Sequence, residues 1–298
     1  MDFSIDLEGI ILQKAKQLGI SINYTDVHEL LRKYINIKTK LIDNNPRKVF
    51  YSSELQSKIL NEPYFNVLKK IEKKFEEGDD INPYLSRQSL KPDSQDGLLN
   101  DWGIHHLHLS DTKRSPNDQF YSRSDYLLMV IVGNDFVCFL DVRPHSESNP
   151  NNPNYPLWVR NELLEIIQKN WEKLLEPYEY KGQKPLKKYT EEEHFELRDA
   201  GLIVDAVVGD KVYAPMGGGV STARTGLSQT LYADRILNTI CDAQIKIKNN
   251  PEEIKSRMKK SGILPSEKLE FILMDDPKHG LICVETNVNW GYPLNIKL

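Results

Sequence analysis

The sequence predicts an α+β fold, with a helical N-terminal segment, a small antiparallel sheet with flanking helices, and a C-terminal α+β unit. Apolar residues recur at helical spacing through the first part of the chain, and the pattern then changes to short strands before helices and strands alternate again. With 298 residues, the chain exceeds the size that one core usually supports. We therefore expect three units, covering residues 1–48, 49–177 and 178–298.

The N-terminal helices are predicted from their apolar faces and their end signals. Residues 5–40 contain two amphipathic patterns, and Thr25 or Asp26 is placed to cap the second. A further helical face runs from Ser53 to Phe75 and ends at the Gly78-Asp79-Asp80 sequence. These helices precede the predicted sheet.

Three strands are predicted at residues 102–109, 126–132 and 136–142, which are rich in β-branched and aromatic residues. The turn sequence Gly133-Asn134-Asp135 joins the last two as a hairpin. The remaining predicted helices lie near 157–175, 190–201, 228–248 and 252–260, and the second of them opens with the capping sequence Thr190-Glu191-Glu192-Glu193. The remaining predicted strands lie near 202–208, 211–214, 269–274 and 281–285, and the Gly209-Asp210 turn joins the first two as a hairpin.

Composition limits the function classes. A net charge of -4 at pH 7 argues against a chain that is basic throughout, as many non-specific nucleic-acid binders are. The three cysteines are widely separated and form no CxxC pair, which is typical of a reducing compartment and indicates no thiolate zinc site. The N-terminus lacks a signal-peptide pattern. No stretch of the chain is continuously apolar over about 18 residues, the length that a membrane-spanning helix needs. We expect a cytoplasmic protein without a membrane partner.

Histidines are concentrated in the stretch 102–109, which contains His105, His106 and His108, and His145 follows the last strand of the sheet. Because side chains alternate across a strand, His106 and His108 share one face and His105 points to the other. We predict that the His105 side faces the core and that His106 and His108 open onto the opposite surface.

Three interpretations of these histidines remain open. They are strand residues held by hydrogen bonds, or proton-transfer groups that work at neutral pH, or metal ligands. In the metal interpretation, His106 and His108 at i, i+2 spacing bind zinc or manganese, with His145 or Asp141 completing the set. Loss of activity with a chelator would favour the metal.

The order of elements around the histidines resembles that of the RelE-type mRNA interferase toxins. In that order, two helices and a glycine-containing loop come first and are followed by a strand. A segment that contains Tyr and Arg then leads into a second strand, and a hairpin connects this to a last strand that ends in basic residues. The corresponding positions here are Ser53–Phe75, Gly78, Gly103–Leu109, Tyr121-Ser122-Arg123, Tyr126–Val132, and Phe136–Val142 followed by Arg143 and His145. The resemblance covers about residues 50–146. This chain departs from the family in being long and acidic and in its longer 110–122 loop.

The resemblance implies a ribonuclease-like effector of a bacterial toxin or phage-defence system, which cleaves RNA without a metal or other cofactor. It assigns His106 or His108 as the base that deprotonates the ribose 2′-hydroxyl, and His145 as the acid that protonates the departing 5′-oxygen. It makes Arg123 the phosphate clamp, because a planar guanidinium matches phosphate oxygens. RNA is then the substrate, and an antitoxin or other protein is the expected partner.

Four further residues are predicted to contact substrate. Tyr121 would orient the RNA or stack on a base, and Arg143 supplies the basic end of the last strand. The glycine-rich stretch 215–226 lies between a strand and a helix, where backbone amides such as that of Gly218 can hold an anion and Arg224 can assist. A flexible exposed loop is the other interpretation of this stretch.

A non-enzymatic binding module is the competing function class. In that case the C-terminal unit recognises a protein or nucleic acid through Gly217–Arg224 or Trp290, and the histidine sheet is structural. Substitution of His106, His108 and His145 distinguishes the two classes, because only the enzyme depends on those side chains.

Overall fold

The computed structural model describes residues 1–59, 62–145, 159–185, 187–222 and 225–298, and it confirms the α+β fold class. The helices of the first half are α1 (Phe3–Gln17), α2 (Val27–Lys40), α3 (Ser53–Gln56), α4 (Phe65–Glu77) and α5 (Gly97–Trp102). Those of the second half are α6 (Glu162–Leu175), α7 (Glu191–Asp199), α8 (Leu227–Asn249) and α9 (Pro251–Lys260). The strands are β1 (Lys48–Tyr51), β2 (Ile104–His108), β3 (Tyr126–Val132), β4 (Phe136–Pro144), β5 (Ala206–Val208), β6 (Lys211–Tyr213), β7 (Phe271–Asp276), β8 (Gly280–Glu285) and β9 (Trp290–Pro293).

The chain divides into two compact units that do not follow chain order, whereas the sequence analysis expected three consecutive segments. One unit joins Met1–Ile37 to Gln229–Leu298, and the other is Lys38–Ser228. In the first unit, the Asp6 carboxylate of α1 accepts a hydrogen bond from the Leu273 amide of β7 at 2.8 Å. α1 therefore packs against β7, a strand of the C-terminal sheet.

The second unit is organised around a four-stranded sheet in the order β1-β4-β3-β2. β2, β3 and β4 are antiparallel neighbours, as the predicted hairpin requires. β1 pairs in parallel with β4 and was not predicted, since four residues beginning just after Asn44-Asn45-Pro46 give little periodic signal. β3 and β4 are consequently central strands.

Apolar side chains cover both faces of this sheet. On one face, Leu107 and Val130 belong to a core that includes Leu68 and Phe75 of α4. The opposite face carries Ile104, Leu127 and Met129, which pack with α5 and α6; the helix residues in that core include Trp102, Leu163, Leu164 and Ile167. Near-continuous apolar runs such as those of β3 and β4 are typical of strands buried on both sides.

The prediction that His106 and His108 open onto a solvent-facing surface is therefore wrong for His108, which is 3% exposed. His106 keeps 24% of its side chain exposed. His105, which was expected to face the core, is only half-buried. The error arose because face assignment used β2 alone, while its neighbours decide which positions are covered.

Smaller sheets complete the molecule. The β5–β6 hairpin with its Gly209-Asp210 turn is confirmed, and β7 pairs antiparallel with β8, for which only the two strands themselves were predicted. β9 adds a third strand to the latter sheet. Within the described ranges, none of the helices combines the length and apolar character that a bilayer crossing requires.

Candidate functional site

Strand register places two polar rows on one face of the sheet. His106 and Asp141 flank Met129 in the first row, and His108 and Arg143 flank Leu127 in the second. A β-bulge after Met129 inserts one extra residue into β4, so the pairing continues with Val130 opposite Phe139. The polar side chains of β2 and β4 therefore lie on either side of β3, on an otherwise apolar face.

His108 is held as a neutral imidazole. Burial, followed by the nearby His106, His145 and Arg123, lowers its pKa to about 3. The Ser124 amide donates to Nδ1 of His108 at 3.4 Å. When Nδ1 accepts a hydrogen bond, the single proton of a neutral ring resides on Nε2, so His108 presents an N–H donor at its other nitrogen.

His145 lies beside His108 although it is 37 positions further along the sequence. The two rings stack with centroids 5.4 Å apart and an interplanar angle of 19°. The His145 amide donates to the Asp125 carbonyl at 2.7 Å, which anchors the residue next to the start of β3. Burial, and then the charges of Arg123 and His106, lower the pKa of His145. This half-buried imidazole is therefore neutral at pH 7.

Arg123 is exposed and borders two hollows. One, of about 340 Å³, also contains His108 and Tyr121 in its lining. The other, more open and about 490 Å³ in volume, includes His145 and Ser124. Arg123 thus borders both the hollow that His108 lines and the hollow that His145 lines. It places a positive charge beside an anion in either of them.

The two remaining strand histidines, His105 and His106, do not line either hollow. His106 Nδ1 is 3.4 Å from the Asp96 Oδ2 atom, and Asp96 also caps α5 by accepting from the Leu99 amide. His105 belongs to the opposite face, and burial lowers its pKa to about 4. Of the predicted group, His108, His145 and Arg123 converge, whereas His106 is associated with a helix cap.

Arg143 is engaged by carboxylates. Its Nε lies 2.7 Å from Asp141, and its Nη1 lies 2.8 Å from Glu162. The buried Asp141 carboxylate also forms an ion pair with Lys58. These contacts differ from the predicted roles of Arg143 as a substrate contact and of Asp141 as a metal ligand, because both side chains are used within the protein. No group of three or more histidine, cysteine, aspartate or glutamate side chains in the described residues is arranged to hold a metal ion.

The predicted anion cradle at Gly218 is not formed. The Gly217 and Gly219 amides donate to the carbonyls of Asp101 and Asn100 at 3.0 and 2.8 Å, and the Gly218 amide donates to Pro215. The loop therefore packs on the C-terminal end of α5 through the Gly217 and Gly219 amides, while the Gly218 amide is used within the loop itself. Arg224 lies outside the described residues.

Three basic residues near the site were not identified from the sequence. Arg87, Lys91 and Arg114 border the same hollow as His108 and Arg123. Arg87 and Lys91 belong to a short 3-10 turn and the residue after it, and Arg114 belongs to the loop before β3. Neither segment has a periodic pattern, so only their charge could have drawn attention to them.

Comparison of the chain with protein-family models, with curated proteins and with solved structures gives no match.

Proposed function

We propose that this protein cleaves RNA by a metal-independent reaction at the His108–His145 pair. The single observation that carries the proposal is the stacking of two neutral imidazoles beside an exposed guanidinium, Arg123. In such a reaction the ribose 2′-oxygen attacks the adjacent phosphorus, and the bond to the 5′-oxygen breaks to leave a 2′,3′-cyclic phosphate. The reaction needs a base, stabilisation of the charged phosphorus centre, and a proton for the leaving oxygen.

His145 is assigned as the base. A neutral imidazole can accept the proton of the 2′-hydroxyl, and the lowered pKa keeps His145 in that form at neutral pH. Its ring borders the more open hollow, which an RNA strand can reach. This assignment reverses the one that the resemblance to RelE-type interferases implies, in which His145 serves as the acid.

His108 is assigned as a hydrogen-bond donor to the phosphate and not as a base. Its Nδ1 lone pair is used by the Ser124 amide, so only Nε2–H remains for a ligand. A buried hydrogen-bond donor is already oriented before the reaction, so it does not need to move as negative charge develops on the phosphate. Fixed donors stabilise that charge effectively for this reason.

Arg123 supplies the positive charge. Its planar fork can donate two hydrogen bonds to phosphate oxygens, and its exposed position allows the phosphate to approach from either hollow. A water molecule protonates the departing 5′-oxygen, and the hydroxide left by this step takes back the proton held by His145, which returns the ring to its neutral form. Membership of a toxin or phage-defence system, as the resemblance to RelE-type interferases implies, belongs to the same proposal.

The test is to incubate the purified full-length protein with single-stranded RNA, with and without excess EDTA, and to analyse the product ends. We expect 2′,3′-cyclic phosphate ends, undiminished activity in EDTA, and no cleavage of the 2′-O-methyl oligonucleotide of the same sequence. Cleavage of the methylated strand, or activity abolished by the chelator and restored by a divalent metal, contradicts the mechanism.

The pH profile tests the assignment of His145. Since its pKa lies below the ordinary value of about 6.5, the cleavage rate should rise with pH through an apparent pKa below 6.5. His145→Ala should lower the rate by about 10²- to 10⁴-fold and remove that acid limb. A His145→Ala variant with the wild-type rate and profile would refute the assignment.

A further inference from the structure

The hollow that adjoins His108 has a basic wall, and three of its four basic residues have no role in the proposed reaction. Besides Arg123, its lining includes Arg87, Lys91 and Arg114, and all four side chains are exposed. Arg87 is paired with Asp118, with Nη2 2.8 Å from the carboxylate. The wall therefore carries a net positive charge. Because the chain as a whole has a net charge of -4 at pH 7, this positive charge is concentrated locally and does not reflect the composition of the whole chain.

Tyr121 supplies an aromatic surface in the same hollow. One side of its ring packs on the buried Tyr84 ring, with centroids 4.7 Å apart and planes tilted by 53°. Its backbone is fixed by a hydrogen bond from its amide to the Pro83 carbonyl at 2.7 Å. A half-buried ring supported from below in this way is a rigid platform on which a planar ligand can stack.

The base of the wall is also rigid. The buried Lys40 side chain donates from Nζ to the carbonyls of Lys91 and Ser94, each at 2.8 Å. These bonds fix the backbone of the segment that carries Arg87 and Lys91. The side chains of Arg87 and Lys91 thus extend from a fixed backbone.

The geometry points to a nucleotide-binding subsite in this hollow, which accepts one unpaired nucleotide flanking the cleavage site, and we propose that the substrate is single-stranded RNA. The base of this nucleotide stacks on Tyr121, and the backbone phosphates on its two sides contact Arg114 and Lys91. This inference rests on the proposed function, because it places the neighbouring phosphate at His108 and Arg123. It goes further by naming the form of the RNA.

The size of the hollow explains the expected discrimination against duplexes. A space of about 340 Å³ accommodates a nucleotide-sized group, whereas a paired base stays stacked within its helix and reaches such a space only after unstacking. A duplex would therefore be bound through its backbone alone, without the contribution of Tyr121.

The experiment measures binding without cleavage. A fluorescently labelled 2′-O-methyl oligoribonucleotide lacks the attacking hydroxyl, so anisotropy reports binding only. We expect the single strand to bind the full-length protein at least about tenfold more tightly than the same strand in a duplex. Tyr121→Leu should weaken binding of the single strand by roughly tenfold, while Tyr121→Phe, which keeps the ring, stays within about twofold of wild type.

The charged wall has its own readout. The logarithm of the binding constant should fall with the logarithm of salt concentration, and Arg114→Gln should reduce that slope by about 0.7, the value for one phosphate contact to a single strand. Arg235→Gln, an exposed arginine of α8 in the other unit, is the matched control and should bind as wild type. Because Arg114 is exposed, its substitution leaves the fold intact.

Equal affinity for single strand and duplex would overturn the subsite, as would unchanged binding by folded Tyr121→Leu or an unchanged salt slope for Arg114→Gln. The two proposals fail separately. Wild-type protein that binds the methylated strand as expected but does not cleave RNA supports the subsite and refutes the proposed reaction. Cleavage of RNA together with Tyr121-independent binding refutes the subsite alone.

Discussion

At the scale of single residues, the hydrogen bonding of His108 determines what its ring can do. A histidine two residues from another on one strand suggests a base or a metal ligand when only the sequence is considered. The amide of Ser124 donates to Nδ1, and burial favours the neutral ring. His108 therefore offers a donor and no free lone pair, and the role of base passes to His145.

Substitution of His108 by glutamine and by alanine tests this assignment. The amide nitrogen of Gln can take the place of the Nε2–H donor, whereas Ala removes it. We expect His108→Gln to retain cleavage within about tenfold of wild type and His108→Ala to lose about 10²- to 10³-fold, as expected when a fixed donor to a developing oxyanion is removed. Single-turnover cleavage rates measure both variants.

The matched control is His106→Gln, because His106 lies on the same face but contacts Asp96. It should cleave at nearly the wild-type rate. Equally large losses in His108→Gln and His108→Ala would instead mean that His108 exchanges protons, and the donor assignment would be abandoned.

At the scale of elements, α5 links the glycine loop to the histidine strand. Its N-terminal cap, Asp96, contacts His106, and its last carbonyls accept the amides of Gly217 and Gly219. The Asp101 carboxylate forms a buried ion pair with Arg198 of α7, with Nε and Oδ2 2.7 Å apart. A six-residue helix is short for independent stability, so these contacts to neighbouring elements hold it in place.

Gly217→Ala tests the packing of the loop on α5. A methyl group at this position would overlap the carbonyl oxygens of Leu99 and Asn100, which belong to backbone and cannot rotate away. We expect a loss of more than about 2 kcal/mol in unfolding free energy, measured by urea denaturation.

Gly9→Ala is the control. A methyl at Gly9 meets nothing within 4 Å, and replacement of a helix-interior glycine by alanine stabilises by about 0.5–1 kcal/mol. If Gly217→Ala were as stable as wild type, the loop would not be packed on α5, and the anion-cradle interpretation of Gly218 would need to be reconsidered.

At the scale of the whole molecule, burial of neutral histidines makes stability depend on pH. Burial lowers the pKa of His108 to about 3 and that of His194 to about 4. An unfolded histidine has a pKa near 6.5. Between these values the unfolded chain binds more protons than the folded one, so the folded state loses stability as the pH falls below about 6.5. Burial raises the pKa of Asp101, and the nearby Arg198 offsets only part of that rise. A raised carboxyl pKa makes the folded state more stable as the pH falls, which is the opposite of the histidine effect.

His194→Gln isolates the histidine contribution from that of Asp101. We expect the fall in unfolding free energy between pH 7 and pH 5 to be smaller in this variant than in wild type by about 1–2 kcal/mol, measured by urea denaturation at both pH values. His279→Gln, whose exposed ring contacts Asp276, should show the wild-type pH dependence. If His194→Gln and wild type lose the same free energy, His194 is not a buried neutral ring.

The sequence by itself determined the α+β class and the position of most helices and strands. Local signals are sufficient for these features, because helical periodicity, the Gly133-Asn134-Asp135 turn and the Thr190 cap act within a few residues. β1 was missed for the same reason, since a four-residue parallel strand is recognisable only beside its partner β4.

Only the tertiary structure decided which side chains meet. The sequence identified His108, His145 and Arg123 as chemically suitable, but their convergence depends on the register of β2, β3 and β4. Glu162 of α6 pairs with Arg143, and the Gly218 amide donates to the Pro215 carbonyl within its own loop, so neither the guanidinium nor that amide is offered to a ligand as the sequence analysis expected. Burial and hydrogen-bond partners arise from residues distant along the chain, so no local pattern encodes the pKa of His108 or the ring nitrogen that carries its proton.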